Sequence, residues 1–129
     1  MTPDDLWLHA QQLPEATEAE RRSKISRSYY ALFSYACEFN RSLPSEGGLF
    51  RKEAGCHSQL SQKLTNPTVA DGDLQFQSRS LGTNQKLAHE LRIKADYYLD
   101  EPVTTADVRK CLAWVRKGMA IPIPNQKAA

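Results

Sequence analysis

The chain has 129 residues, of which 40% are hydrophobic and 25% charged, and a net charge of +2. That is one domain's worth of chain with a core of its own, and its composition is that of an ordinary globular protein. No apolar run approaches the roughly 18 residues of a membrane span, and the opening MTPDDLWLHAQQL is acidic and amphipathic, unlike a secretory signal.

In chain order, a first short helix is expected from Thr2 to Leu13. Thr2 suits the N-cap, Pro3 the first helical position, and Asp4 and Asp5 the positive end of the macrodipole. A long second helix starts near Thr17, carries Glu18 and Glu20 in its first turn, and runs to Leu43 with neither glycine nor proline inside it. Turning about 100° per residue, it gathers Ile25, Tyr29, Leu32, Phe33, Ala36 and Leu43 on one face. Arg27, Tyr30, Ser34 and Arg41 gather opposite, a stripe too polar for a core and hence the first candidate for a working surface.

Pro44 to Gly48 break the helix, and an irregular connection follows to Cys56. A short helix over His57–Leu64 is stopped by Asn66-Pro67. Asp71 to Tyr98 reads as mostly helical. Gly82 is either tolerated inside one long helix at a cost of about 1 kcal/mol, or Thr83 caps a new one. Leu87, Leu91, Ala95 and Tyr98 are expected as its core stripe, with Ile93 and Tyr97 on a second neighbour and His89, Arg92 and Asp96 on the remaining side. Thr104 to Asp107 resembles a capping box and opens a last helix from Thr105 to Met119, with Val108, Cys111, Leu112, Val115 and Met119 inward. No segment reads as a strand. The expectation is an all-α, antiparallel four- or five-helix bundle over residues 1–120, followed by a flexible tail over 121–129.

The chemistry-bearing residues are few. Cys37, Cys56 and Cys111 are odd in number and lack metal-ligand spacing, which fits free thiols in a reducing, cytoplasmic setting. No glycine-rich phosphate loop or paired zinc ligands occur, so neither metal nor cofactor is expected. Between Arg21 and Lys52 stand seven basic residues (Arg21, Arg22, Lys24, Arg27, Arg41, Arg51, Lys52) against two acidic ones, Glu38 and Glu46. Such a concentration either attracts phosphates or is a solvated helix face.

Several short motifs occur in one order. Arg27-Ser28-Tyr29-Tyr30-Ala31-Leu32-Phe33, Gly55-Cys56-His57-Ser58 at the third helix, Leu91-Arg92-Ile93-Lys94-Ala95-Asp96-Tyr97, and the Val103-Thr104-Thr105-Ala106-Asp107 helix start together resemble the HEPN domain family, from about Arg22 to Met119. The resemblance implies a HEPN-like bundle that dimerises through its second and fourth helices, without metal or cofactor. Many members are metal-independent ribonucleases of bacterial toxin–antitoxin, CRISPR and phage-defence systems, and many small ones are encoded beside a minimal nucleotidyltransferase, a further expected partner. Nuclease members carry an arginine and, four to six residues on, a histidine. Arg92 matches the arginine, but Tyr97 stands where the histidine falls.

Tyrosine titrates near 10 and is a poor base at neutral pH, whereas histidine near 6.5 is a good one. His89, one turn before Arg92, is the nearest substitute; Arg51 and His57 satisfy the same formal spacing but straddle a loop-to-helix junction, where His57 is expected to cap its helix or meet a loop carbonyl. The candidate catalytic set is thus Arg92 to stabilise phosphate charge, His89 to move protons, Asp96 to orient an arginine, and Tyr97. Arg27, Tyr30, Arg41, Arg51 and His57 are the candidates for binding RNA or a partner. Two functions compete: a toxin–antitoxin or defence component acting on RNA at a dimer-interface groove, and a catalytically silent module binding a partner protein or nucleotide. The bland expectation for Arg92 and Asp96 is an i,i+4 surface ion pair worth about 0.3–0.5 kcal/mol.

Overall fold

The computed structural model describes residues 1–124, and the expectations for 125–129 lie outside the described residues. Its elements are five helices: α1 Pro3–Gln12, α2 Glu18–Arg41, α3 Cys56–Thr65, α4 Gly72–Tyr97 and α5 Thr105–Met119. Among the described residues there is no strand. Nor, among the described residues, is any helix long and apolar enough to cross a membrane.

Three starts are set by reciprocal capping boxes, in which a threonine hydroxyl accepts from the third helical N–H and the acid at that position accepts from the threonine's own N–H. The pairs are Thr2 with Asp5, Thr17 with Glu20 and Thr104 with Asp107. Asp71 caps α4 by accepting from the Asp73 and Leu74 amides. Of the two alternatives at Gly82, the structure shows the first: α4 runs through it as one continuous helix. Gly82 lies where α4 crosses α3, and a Cβ there would stand 2.8 Å from both Leu64 Cβ and Thr65 Cγ2. The glycine serves a close approach between helices rather than a cap.

α2 is the central element and packs against all four others; α4 packs against α2, α3 and α5. Tyr29, Ile25, Leu32, Ala36 and Phe39 from α2 meet Leu60 and Leu64 from α3, Leu81, Ala88 and Ala95 from α4, and Val108, Cys111 and Val115 from α5. The expected stripe of α4 is shifted. Its fully buried positions include Ser78, Leu81, Gln85 and Ala88, with Ala95 nearly so, while Tyr98 is exposed and Leu87, Leu91 and Ile93 are half-buried. Part of the expected flexible tail is packed: Ile123 is buried with the core cluster and Ile121 lies against it, its carbonyl accepting from the Tyr35 hydroxyl.

The basic run of α2 has a structural use that the sequence does not reveal. Arg21 donates through Nε to the Val103 carbonyl at 2.8 Å and through Nη1 to the carbonyls of Glu15 and Ala16. Arg22 donates to the carbonyls of Lys94, Ala95 and Tyr98, so it supplies donors to the C-terminal end of α4 while pairing with Glu18 at 2.7 Å. Lys24, 6% exposed, donates to the Gln11 and Leu13 carbonyls and to Glu15 Oε2. Three of the seven expected surface cations are therefore internal fasteners that hold α1, α4 and the α4–α5 connection to α2. Arg27, Arg41, Arg51 and Lys52 remain exposed.

Candidate functional site: a histidine pair between two grooves

Tyr29 points from the middle of α2 into the space between α3 and α4, where it is 1% exposed. Its hydroxyl lies 2.7 Å from Nδ1 of His57, in the first turn of α3. Gln85, fully buried on α4, donates through Nε2 to the Tyr29 oxygen at 3.0 Å and to the His57 carbonyl at 3.2 Å. Its Oε1 accepts from the Ser61 hydroxyl. Four side chains from three helices thus form one polar relay inside an apolar core, and each buried amide atom of Gln85 has a partner. A half-satisfied version would cost more than an apolar one.

The His57 ring therefore neither caps α3 nor meets a loop carbonyl, the two alternatives expected for it, but pairs with the Tyr29 hydroxyl. Gly55 holds the N-cap position without a side-chain bond. The imidazole lies against Phe33, ring centroids 4.2 Å apart, and stacks on His89 of α4 at 4.9 Å with 9° between planes. Tyr29 flanks both rings, at 5.5 Å and 5.3 Å. Burial and then the Arg92 charge hold the His57 imidazole below its ordinary value. Burial, then His57 and Arg92, push His89 down to about 4. Both rings are neutral at pH 7, as two stacked imidazolium ions beside an arginine would repel. Burial pushes the Tyr29 phenol well above its ordinary value, an effect the Gln85 hydrogen bond only partly offsets, so it stays protonated.

The histidine pair separates two grooves. One, of about 420 Å³, is lined by Ser26, Arg27, Tyr29, Tyr30, Phe33, His57 and Arg92. In it Arg92 Nε pairs with Asp96 Oδ2 at 2.8 Å, and the Ser26 hydroxyl donates to the same oxygen at 3.2 Å. The side chains of Arg92 and Asp96 are only about a quarter exposed (23% and 27%), so this pair is more than the solvated surface contact weighed above. Asp96 fixes Nε and leaves the terminal guanidinium nitrogens without a hydrogen bond among the described residues. The Arg92 guanidinium carbon lies 5.7 Å from the centroid of the Tyr97 ring, which is itself 62% exposed. The second groove, of about 450 Å³ between α3 and α4, includes Arg51, Ser58, Gln62, Lys86, His89 and Glu90.

Of the nine candidates from the sequence, the fold gathers seven. Arg92, Asp96 and Tyr97 meet Arg27, Tyr30 and His57 around the first groove, and His89 joins them through its stack on His57. Arg41 stands apart: fourteen residues along α2 from Arg27, or about 21 Å, it lines separate grooves with Tyr30, Ser34 and Glu38 and with Asn40 and Lys63. Arg51 lies on the far side of the histidines, exposed, with Glu53 at 3.8 Å. Sequence reasoning missed Gln85, Ser61 and Ser26; a core tyrosine whose hydroxyl reaches a polar partner is what the sequence leads one to expect of Tyr29, but not that the partners are His57 and Gln85. A signal existed for one of them: Leu81, Gln85 and Ala88 share a helical phase, which makes Gln85 a polar residue in a core position.

The arrangement offers a cation with directed N–H groups, two neutral imidazoles, and exposed aromatic faces at Tyr30 and Tyr97. Among the described residues, no three His, Cys, Asp or Glu side chains converge as metal ligands. Comparison with family models, with curated proteins and with solved structures finds no match, so the function is read from the geometry of these residues.

Proposed function

We propose that this chain is a HEPN-like component of a bacterial toxin–antitoxin or phage-defence module, cytoplasmic and dimeric, that binds and cleaves RNA where the two grooves meet at the histidine pair, with Arg92, Asp96, Tyr97, Arg27, Tyr30 and His57 on one side and His89 on the other. One observation carries the reading: a neutral imidazole pair stacked at 4.9 Å adjoins an arginine whose Nε is fixed by Asp96. Arg92 receives the non-bridging phosphate oxygens, whose charge grows in the phosphorane, and its position costs no reorganisation. His89 takes the proton of the ribose 2′-hydroxyl. The 2′-oxygen bonds to phosphorus, the bond from phosphorus to the 5′-oxygen breaks, and that oxygen receives the proton back from His89. The products are a 2′,3′-cyclic phosphate and a 5′-hydroxyl. Tyr30 and Tyr97 provide faces on which bases stack.

The catalytically silent reading, a module binding a partner protein or nucleotide, draws support from His89: pushed down to about 4, it is a weak base at neutral pH. The two readings part on one assay. The protein and its Arg92→Ala and His89→Ala variants are incubated with single-stranded and structured RNA in EDTA. The nuclease reading expects wild-type cleavage ending in cyclic phosphate, lowered by about 10²-fold or more in either variant. No cleavage, or equal cleavage by all three proteins, overturns it and leaves the binding module.

A further inference from the structure

The hydrogen bonds around His57 leave little freedom in where its proton sits. The His57 carbonyl can only accept, and Gln85 lies 3.2 Å from it through Nε2. Turning the Gln85 amide over would face two oxygens against each other and set its NH2 against the Ser61 hydroxyl, so the amide has one orientation. In that orientation Nε2 also donates to the Tyr29 oxygen, and Ser61 donates to Oε1. The Tyr29 oxygen is thereby an acceptor toward Gln85, and its own hydrogen has one partner within reach, His57 Nδ1 at 2.7 Å. Had Nδ1 carried the proton, the hydroxyl hydrogen of Tyr29 would be buried without an acceptor.

We propose that Tyr29 and Gln85 are positioning residues that lock His57 as the Nε2–H tautomer, so that it offers the groove a neutral hydrogen-bond donor. The two imidazoles then have different duties. His57 donates Nε2–H to a phosphate oxygen and carries no proton across, because its Nδ1 is occupied by Tyr29. Neither ring nitrogen of His89 has a hydrogen-bond partner among the described residues, which leaves His89 as the ring that exchanges protons. The direction of the relay runs from Ser61 through Gln85 and Tyr29 to His57, and reversing any link strands a hydrogen. The assignment of duties rests on the RNA reading above. The tautomer itself does not, since it follows from the buried side chains of Tyr29, Gln85 and Ser61 and the His57 carbonyl alone.

The test is long-range ¹H–¹⁵N spectroscopy of the full chain labelled with [¹⁵N]histidine, at about pH 8.5, where imidazoles are neutral. The chain has three histidines, and His9, exposed on α1, reports the tautomer mixture of an unconstrained ring in the same sample. Wild-type His57 is expected to show a fully pyridine-like Nδ1 and a fully pyrrole-like Nε2, beyond the averaged values of His9. In Tyr29→Phe and in Gln85→Leu both shifts are expected to move toward those of His9. A wild-type His57 that matches His9, or one protonated on Nδ1, overturns the proposal, as does a tautomer that both variants leave unchanged. The wild-type spectrum decides even if neither variant folds. RNA cleavage does not enter the measurement: a locked Nε2–H ring in a protein that never cuts RNA sinks the nuclease reading and leaves the lock standing.

Discussion

At the scale of single residues, His89 makes stability depend on pH. In the unfolded chain its imidazole takes a proton near 6.5; in the fold, flanked by His57 on α3, Tyr29 on α2 and Arg92 on its own helix, it does so only near 4. Between these values the unfolded state binds more protons, so stability falls as pH drops through that window, and this group adds no further loss below it. His57, shifted the same way, contributes with the same sign. Urea midpoints measured from pH 7.5 to pH 4 are expected to fall for the wild type and to fall less for His89→Gln, which has no proton to gain. Parallel slopes for the two proteins would remove His89 as the cause. Arg92, His89 and Asp96 were legible as a cluster because they share one helix and one helical face. The partners that complete the site were not. Tyr29 is 28 residues from His57 and 56 from Gln85, and pairings over such separations are fixed by how three helices pack, which local periodicity does not encode.

At the scale of elements, the helix starts were the most legible feature, since a capping box is a local pattern of two residues three apart. Helix interiors were less so. The wheel placed Leu87 and Tyr98 inward on α4, whereas Leu81 and Gln85 are buried there; the helix is covered by α2, α3 and α5 on different sides, and a single apolar stripe does not describe it. Gly82 was ambiguous for the same reason, because its use lies in α3 and not in its own neighbours. Replacing it tests that use. Gly82→Ala gains about 1 kcal/mol in helix propensity but sets a methyl 2.8 Å from Leu64 Cβ and Thr65 Cγ2. Forcing α3 off α4 is expected to win, with a net loss of about 1–2 kcal/mol in denaturant unfolding. A variant more stable than wild type would show that the two helices separate freely.

At the scale of the whole molecule, part of the basic excess of the first half is used inside the fold. Arg21, Arg22 and Lys24 face inward onto carbonyls; of the other cations, Arg27 and Arg92 line one of the two grooves beside the histidines and Arg51 and Lys86 the other, while Arg41 and Lys52 are exposed elsewhere. A net charge of +2 therefore does not show where the exposed cations stand. The all-helical class was readable from the sequence; the position of the histidine pair between two grooves emerges only when α3 is laid across α2 and α4. The most direct test that RNA occupies this place is a titration of the [¹⁵N]histidine-labelled chain with a single-stranded RNA whose 2′-positions are O-methylated, so that it binds without being cut. Shifts of His57 and His89 that saturate with RNA, with His9 unmoved and the response lost in Arg92→Ala, are the expected result. RNA that binds while leaving both stacked imidazoles unmoved, or an unchanged response in Arg92→Ala, would contradict it.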